Sequence, residues 1–137
     1  MSDIVKALRT YMLTVTDITN EVSTRIYYDN LPQNATLPAV VISNDGAELI
    51  RNIASADSLR RSTMSVEIYS DSTTAHADVT DAEEAVTATL EHNTGTWDTV
   101  AVRECLIDDL ADTIETPVDG GDAFRRVRTI SCVVWHT

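Results

Sequence analysis

The sequence predicts an α+β fold: an antiparallel sheet of four to five strands, two helices packed on one face, and a long β-hairpin loop. Three observations carry this. Helical and strand-like periodicities follow one another as helix, strand, strand, helix, strand, strand. The strand-like runs are joined by hairpin-like turns, with no βαβ repetition. The run Arg61 to Tyr69 alternates cleanly, with Met64, Val66 and Ile68 on one face and Thr63, Ser65, Glu67 and Tyr69 on the other.

Each element has a local reason. Ser2 and Asp3 supply capping side chains for a first helix, along which Ile4 or Val5, Leu8, Met12 and Val15 recur at helical spacing. The β-branched and capping residues of Thr16 to Asn20 predict a break, then a short turn through Glu21 to Thr24. Arg25 begins the first extended piece. Pro32 and Pro38 then bracket a loop, because each fixes φ and biases the residue before it toward extended geometry. Ala39-Val40-Val41-Ile42 is too short and too β-branched for a helix and too apolar for a solvated edge, so it reads as a central strand.

Asp45-Gly46 looks like a turn opening a long connection to Arg60, with Leu49, Ile50, Arg51 and Ile53 inside it. Loops beyond about 12 to 15 residues are uncommon in compact domains unless they have a function, so this one is expected to make an assembly contact. Asp71 to Thr74 is a helix-start cluster, and Val79, Ala82, Val86 and Leu90 form the apolar stripe of a second helix ending near His92. Asn93 to Gly95 stops it. Thr99 to Asp109 alternates again, with Val100, Val102 and Leu106 expected on one face and Ala101, Cys105 and Ile107 on the other. Thr116 to Asp122, with Pro117 and Gly120-Gly121, reads as a turn before a last strand from Phe124 to Trp135.

At 137 residues the chain fits one domain, spanning 1–137, with a single core. No run approaches the ~20 apolar residues needed to cross a bilayer, and Met1-Ser2-Asp3 lacks the basic and apolar regions of a secretory signal. Cys105 and Cys132 fit no metal-ligand spacing and read as two buried thiols.

The charge is lopsided, with 22 acids against 10 bases and a net charge of -12. Affinity for nucleic acid comes from neutralising phosphates with Lys and Arg, so a DNA-reading domain is excluded. Disorder would also raise the net charge, but 43% apolar content and clear periodicity oppose it. Aspartate outnumbers glutamate 14 to 8, threonine reaches 19, and Lys6 is the only lysine. That surface suits a halophile, because strong salt mutes self-repulsion, and its stability is expected to rise with salt.

No enzymatic signature stands out. Asp108-Asp109 and Glu83-Glu84 fit a solvated acidic face, His76, His92 and His136 are scattered, and no nucleophile elbow, zinc-helix, phosphate-loop or dinucleotide pattern occurs. The arginines say more: Arg60-Arg61 and Arg125-Arg126-Arg128 cluster, and antiparallel pairing is expected to bring the two groups together. They serve either subunit contacts, where arginine is enriched, or cross-strand pairing with the protein's own acids such as Glu67 or Glu104.

The Arg25-Ile26-Tyr27 strand, Pro32 and Pro38 with Val40 and Val41, the MSVEIYS strand, the alanine-rich second helix and an ending on Trp135 resemble the tail-terminator or tail-completion proteins of long-tailed viruses. The resemblance spans nearly the whole chain. It implies a six-subunit ring in the virion neck, assembled in the host cytoplasm, that stops the tail tube and joins it to the head. The implied partners are further copies of the chain, the tail tube protein and a head-completion connector, with genomic DNA passing through the lumen unbound and no membrane or cofactor involved. A head-closure or adaptor ring of the same neck and a stand-alone acidic protein-binding domain are the alternatives. A heterologous interface that closes by rotation makes such a ring, and open sheet edges with a projecting arm supply complementary patches.

Overall fold

In the computed structural model, which describes residues 3–32, 35–50, 59–71, 76–115 and 125–137, three helices lie against one face of a six-stranded sheet. The helices are α1 (Ile4–Met12), α2 (Thr16–Val22) and α3 (His76–Leu90). The strands are β1 (Ile26–Tyr28), β2 (Ala39–Ile50), β3 (Leu59–Asp71), β4 (Gly95–Trp97), β5 (Val100–Glu115) and β6 (Arg125–His136). Their order across the sheet is β1-β2-β3-β6-β5-β4, antiparallel except for the β1–β2 pair, which is parallel.

The α+β class holds, and its details differ from expectation in ways that have local causes. The Asp3 carboxylate accepts a hydrogen bond from the Lys6 amide at 3.0 Å and starts α1, whose Ile4, Leu8 and Met12 are buried as the stripe requires. Thr16 to Val22 is a third helix where a break was expected. The propensity penalty of its β-branched residues is at most about 0.7 kcal/mol each, and burial of Ile18 and Val22 in the core outweighs it. The extra strands are the three-residue β1 and β4, each too short to show a period.

The Asp45-Gly46 pair is not a turn. β2 runs through it to Ile50, and the register slips between Asn44 and Gly46, leaving Asp45 as the extra residue of a bulge. The Asn44 side-chain oxygen accepts from the Gly46 amide at 3.0 Å, and the Ser65 hydroxyl donates to Asp45. The connection from Asn44 to Arg60 thus shortens to 51–58, and Arg51 and Ile53 lie outside the described residues. So do 116–124, which contain the expected Gly120-Gly121 turn.

A second bulge, between Val102 and Glu104, reverses the expected faces of β5. Val102, Cys105 and Ile107 point to the helices, while Glu104 and Leu106 lie on the other side beside Trp135 and Val133. One extra residue exchanges the faces of everything after it. Cys105 and Cys132 are free, buried and on adjacent strands of the helix-covered face.

The core joins Leu8, Met12, Ile18, Val22, Val86 and Leu90 of the helices to one parity of each long strand, including Ile42, Met64, Val66, Ile68, Ile130 and Cys132. Each such side chain contributes roughly 1.5–3 kcal/mol of transfer free energy. On the other parity Thr63, Ser65, Glu67 and Tyr69 are half-exposed, although Ala39, Val41 and Val127 are buried there. Trp97 closes the end of the core, stacked at 5.6 Å and 57° on Tyr11 of α1.

Candidate assembly surface

The sheet is much longer than the helices that cover it. β2, β3, β5 and β6 have 12, 13, 16 and 12 residues, about 40 Å or more each at 3.3 Å per residue. β1 pairs with β2 only at Val40, Val41 and Ile42, and β4 pairs with β5 only at Val100, Ala101 and Val102. Among the described residues, 43–50 of β2 and 103–115 of β5 therefore have an unpaired backbone edge. Three large apolar side chains are exposed on these edges: Leu49 at 45%, Leu110 at 53% and Ile114 at 54%.

The register separates the two arginine groups. Arg60 and Arg61 pair with His136 and Trp135 at one end of β3, and Arg125, Arg126 and Arg128 pair with Asp71, Ser70 and Ile68 at the other. Eight residues lie between Arg60 and Ile68, roughly 26 Å. Each group faces acids of this chain other than Glu67 and Glu104: Arg61 lies 3.9 Å from Glu48, Arg126 3.5 Å from Asp112, and Arg128 2.7 Å from Glu83. Arg125 sits over the Tyr69 ring at 5.8 Å. Leu49 is on the helix-side face of β2 opposite Arg60, and Ile50 pairs with Leu59 at the end of the hairpin.

Leu110, Asp112 and Ile114 were missed because the expected strand ended at Asp109. Their own alternation was the available signal, continuing the period to Glu115.

Beside Arg60 is a cavity of about 380 Å³ lined by Asp3, Ile4, Asn44, Ala47, Arg60, Ser62 and His136. His136 Nδ1 lies 3.1 Å from the Thr137 main-chain oxygen, which only accepts, so Nδ1 carries the proton and Nε2 accepts from the Ser62 hydroxyl at 2.8 Å. A serine on a neutral imidazole is the start of a nucleophilic pair, but Ser62 is buried in mid-strand and no carboxylate orients the ring. The pair satisfies two buried polar groups. Between α2 and α3, Asp17, Glu21, Asp81 and Glu84 line an acidic groove, where burial and then Asp81 and Asp78 raise the Glu21 pKa. Among the described residues no His, Cys, Asp and Glu group is placed to hold a metal ion, and no helix is long and apolar enough to cross a membrane.

Burial pushes the His136 pKa below its ordinary 6.5, reinforced by the Arg60 charge and opposed by the bond to Thr137. The folded state therefore disfavours a proton that the unfolded chain accepts. Stability is complete above pH 6.5 and declines as pH falls from there toward the lower folded pKa. Urea melts from pH 7.5 to about 5.5 are expected to show this decline, and His136→Gln to flatten it. An unchanged slope in the variant removes His136 as the cause.

The arrangement defines an α+β protein with two open sheet edges and no assembled catalytic centre among its described residues. No protein-family model and no curated protein matches the sequence. The fold, however, is that of a chain in the virion of a native gene transfer agent particle, with a TM-score of 0.61 over 100% of both chains at 13% identity. A second solved chain, whose description names no function, matches with a TM-score of 0.55 and 13% identity over 98% of this chain and 96% of its own length.

Proposed function

We propose that this chain is a structural virion protein that forms a six-subunit ring, ends the tail tube and joins the tail to the head-neck connector. The observation that carries the reading is the end-to-end likeness to a chain of a virion particle. The open edges support it, since a heterologous interface requires two different complementary borders on one subunit. The role is geometric and non-enzymatic. The net charge of -12 lets a genome slide through the lumen without adhering, and its composition fits a halophilic host.

Mass photometry in about 2 M KCl, followed by imaging with tail tubes of the same virion, tests this. A six-subunit ring on tube ends is the expected result. A monomer under all conditions overturns it, and a ring on the head side of the neck assigns the chain to head closure instead.

The 51–58 segment is the proposed arm toward the tail or the next subunit. Because Ile50 and Leu59 are Cα partners, replacing 51–58 by Asn-Gly closes the hairpin with a two-residue turn that suits the strand twist. The variant is expected to keep its melting temperature within about 3 °C and to lose tail joining. Normal joining removes the segment from the contact.

A further inference from the structure

We infer that copies of this chain associate by antiparallel pairing of the free β5 edge of one copy with the free β2 edge of the next, Leu49 meeting Leu110 and Arg60 meeting Asp112. The inference rests on the ring reading and specifies its interface.

Strand direction comes first. β2, β3, β6 and β5 alternate in direction, so the two outer long strands run opposite ways. A second copy placed beside the first, with its helices on the same side, brings β2 antiparallel to β5. A strand edge with unpaired amides and carbonyls is a template for such addition.

The short strands then select the alignment. β1 occupies the β2 edge at one end of the sheet, and β4 occupies the β5 edge at the other, so the free halves lie at diagonal corners. Two copies therefore meet only when staggered. Leu49 stands level with Arg60 of β3, whereas Leu110 stands level with Ile130 and hence Val66. Aligning Leu49 with Leu110 shifts the copies by about six residues, roughly 20 Å. β1 of one copy then falls just past the end of its neighbour's β5, and β4 falls beyond the neighbour's Ile50. No strand is displaced.

That stagger is also compatible with closure. Four long strands per copy span about 19 Å, so a 20 Å shift per copy corresponds to strands tilted by about 45°, near the 35–45° tilt typical of closed barrels.

Side chains agree with the alignment. Leu49 and Ala47 of β2 and Leu110, Asp112 and Ile114 of β5 all lie on the helix-side face, judged by their partners Arg60, Ser62, Ile130, Arg128 and Arg126. With Leu49 opposite Leu110, Asp112 falls opposite Ala47. The small alanine and the cavity it shares with Arg60 leave room for the carboxylate to reach that guanidinium. Asp45, Glu48, Asp108 and Asp109 on the two edges repel one another, so pairing is favoured in strong salt.

The test uses the full chain in about 2 M KCl. Leu49→Cys combined with Leu110→Cys is expected to give an oxidation-dependent covalent ladder, while the buried native thiols stay unreacted. Arg60→Glu and Asp112→Arg are each expected to weaken association about tenfold and, combined in one chain, to restore it to within about threefold, the restoration excluding misfolding as the cause. If the wild type forms rings but the cysteine pair does not cross-link, or the double reversal does not recover, the edge assignment falls and the ring reading stands. If the wild type remains a monomer with tail tubes present, both fall.

Discussion

Trp97→Ala is expected to lower the unfolding free energy by about 4 kcal/mol, within the range for removing a buried aromatic side chain. Trp97 is 1% exposed, and it is the only buried side chain of the three-residue strand β4. Its ring stacks on Tyr11, and its Nε1 donates to Asn93 Oδ1 at 3.0 Å. The Asn93 amide in turn donates to the Tyr11 hydroxyl at 3.1 Å and to the Thr89 carbonyl at 2.7 Å. One side chain thus ties β4 to α1 and to the end of α3. Its removal opens a cavity and strands an amide oxygen, two penalties that add. For a chain of this size the melting temperature is expected to fall by roughly 12–16 °C. Trp97→Phe retains the stack and loses the donor, so about 1–2 kcal/mol is expected. Equal losses for the two variants refute the division between packing and hydrogen bond.

Glu83→Ala is expected to cost about 2–3 kcal/mol, slightly below the 3–5 typical of breaking a fully buried ion pair. Arg128 is 12% exposed and Glu83 26%, with Nη1 2.7 Å from the carboxylate and 3.2 Å from the Thr80 hydroxyl. The pair pins α3 to β6 where the apolar core gives way to the sheet end that carries Leu110 and Ile114. Removing the carboxylate leaves a nearly buried guanidinium with one neutral hydroxyl. Removing both charges, as Glu83→Leu with Arg128→Met, avoids that penalty and is expected to return stability to within about 1 kcal/mol of wild type. A double variant as unstable as Glu83→Ala alone overturns this account. A chevron or urea series on the four proteins measures it as a double-mutant cycle.

The covered parts of the fold were legible because burial writes a period into them. Ile4, Leu8 and Met12, then Val79, Ala82, Val86 and Leu90, marked two helices that the structure contains, and Met64, Val66 and Ile68 marked the inward face of β3. What escaped were features that leave no period. The bulges at Asp45 and after Val102 interrupt alternation, so one was read as a turn and the other exchanged the faces of β5. α2 escaped because its local propensity is poor and only contact with the rest of the core makes it helical.

The candidate surface divides in the same way. Arginine clustering is visible in the chain, but strand register decides which arginines meet, and it sets Arg60 and Arg128 at opposite ends of β3. Leu49, Leu110 and Ile114 are unremarkable as letters. They become a surface only because β1 and β4 stop after three pairs each and leave the long strands beside them open. The sequence by itself determined the α+β class, the helix stripes and the acidic surface, since these follow from local spacing and composition. The tertiary structure alone decided the free edges and the corners they occupy, because hydrogen-bond pairing between distant segments is a property of the assembled sheet and of no single stretch of chain.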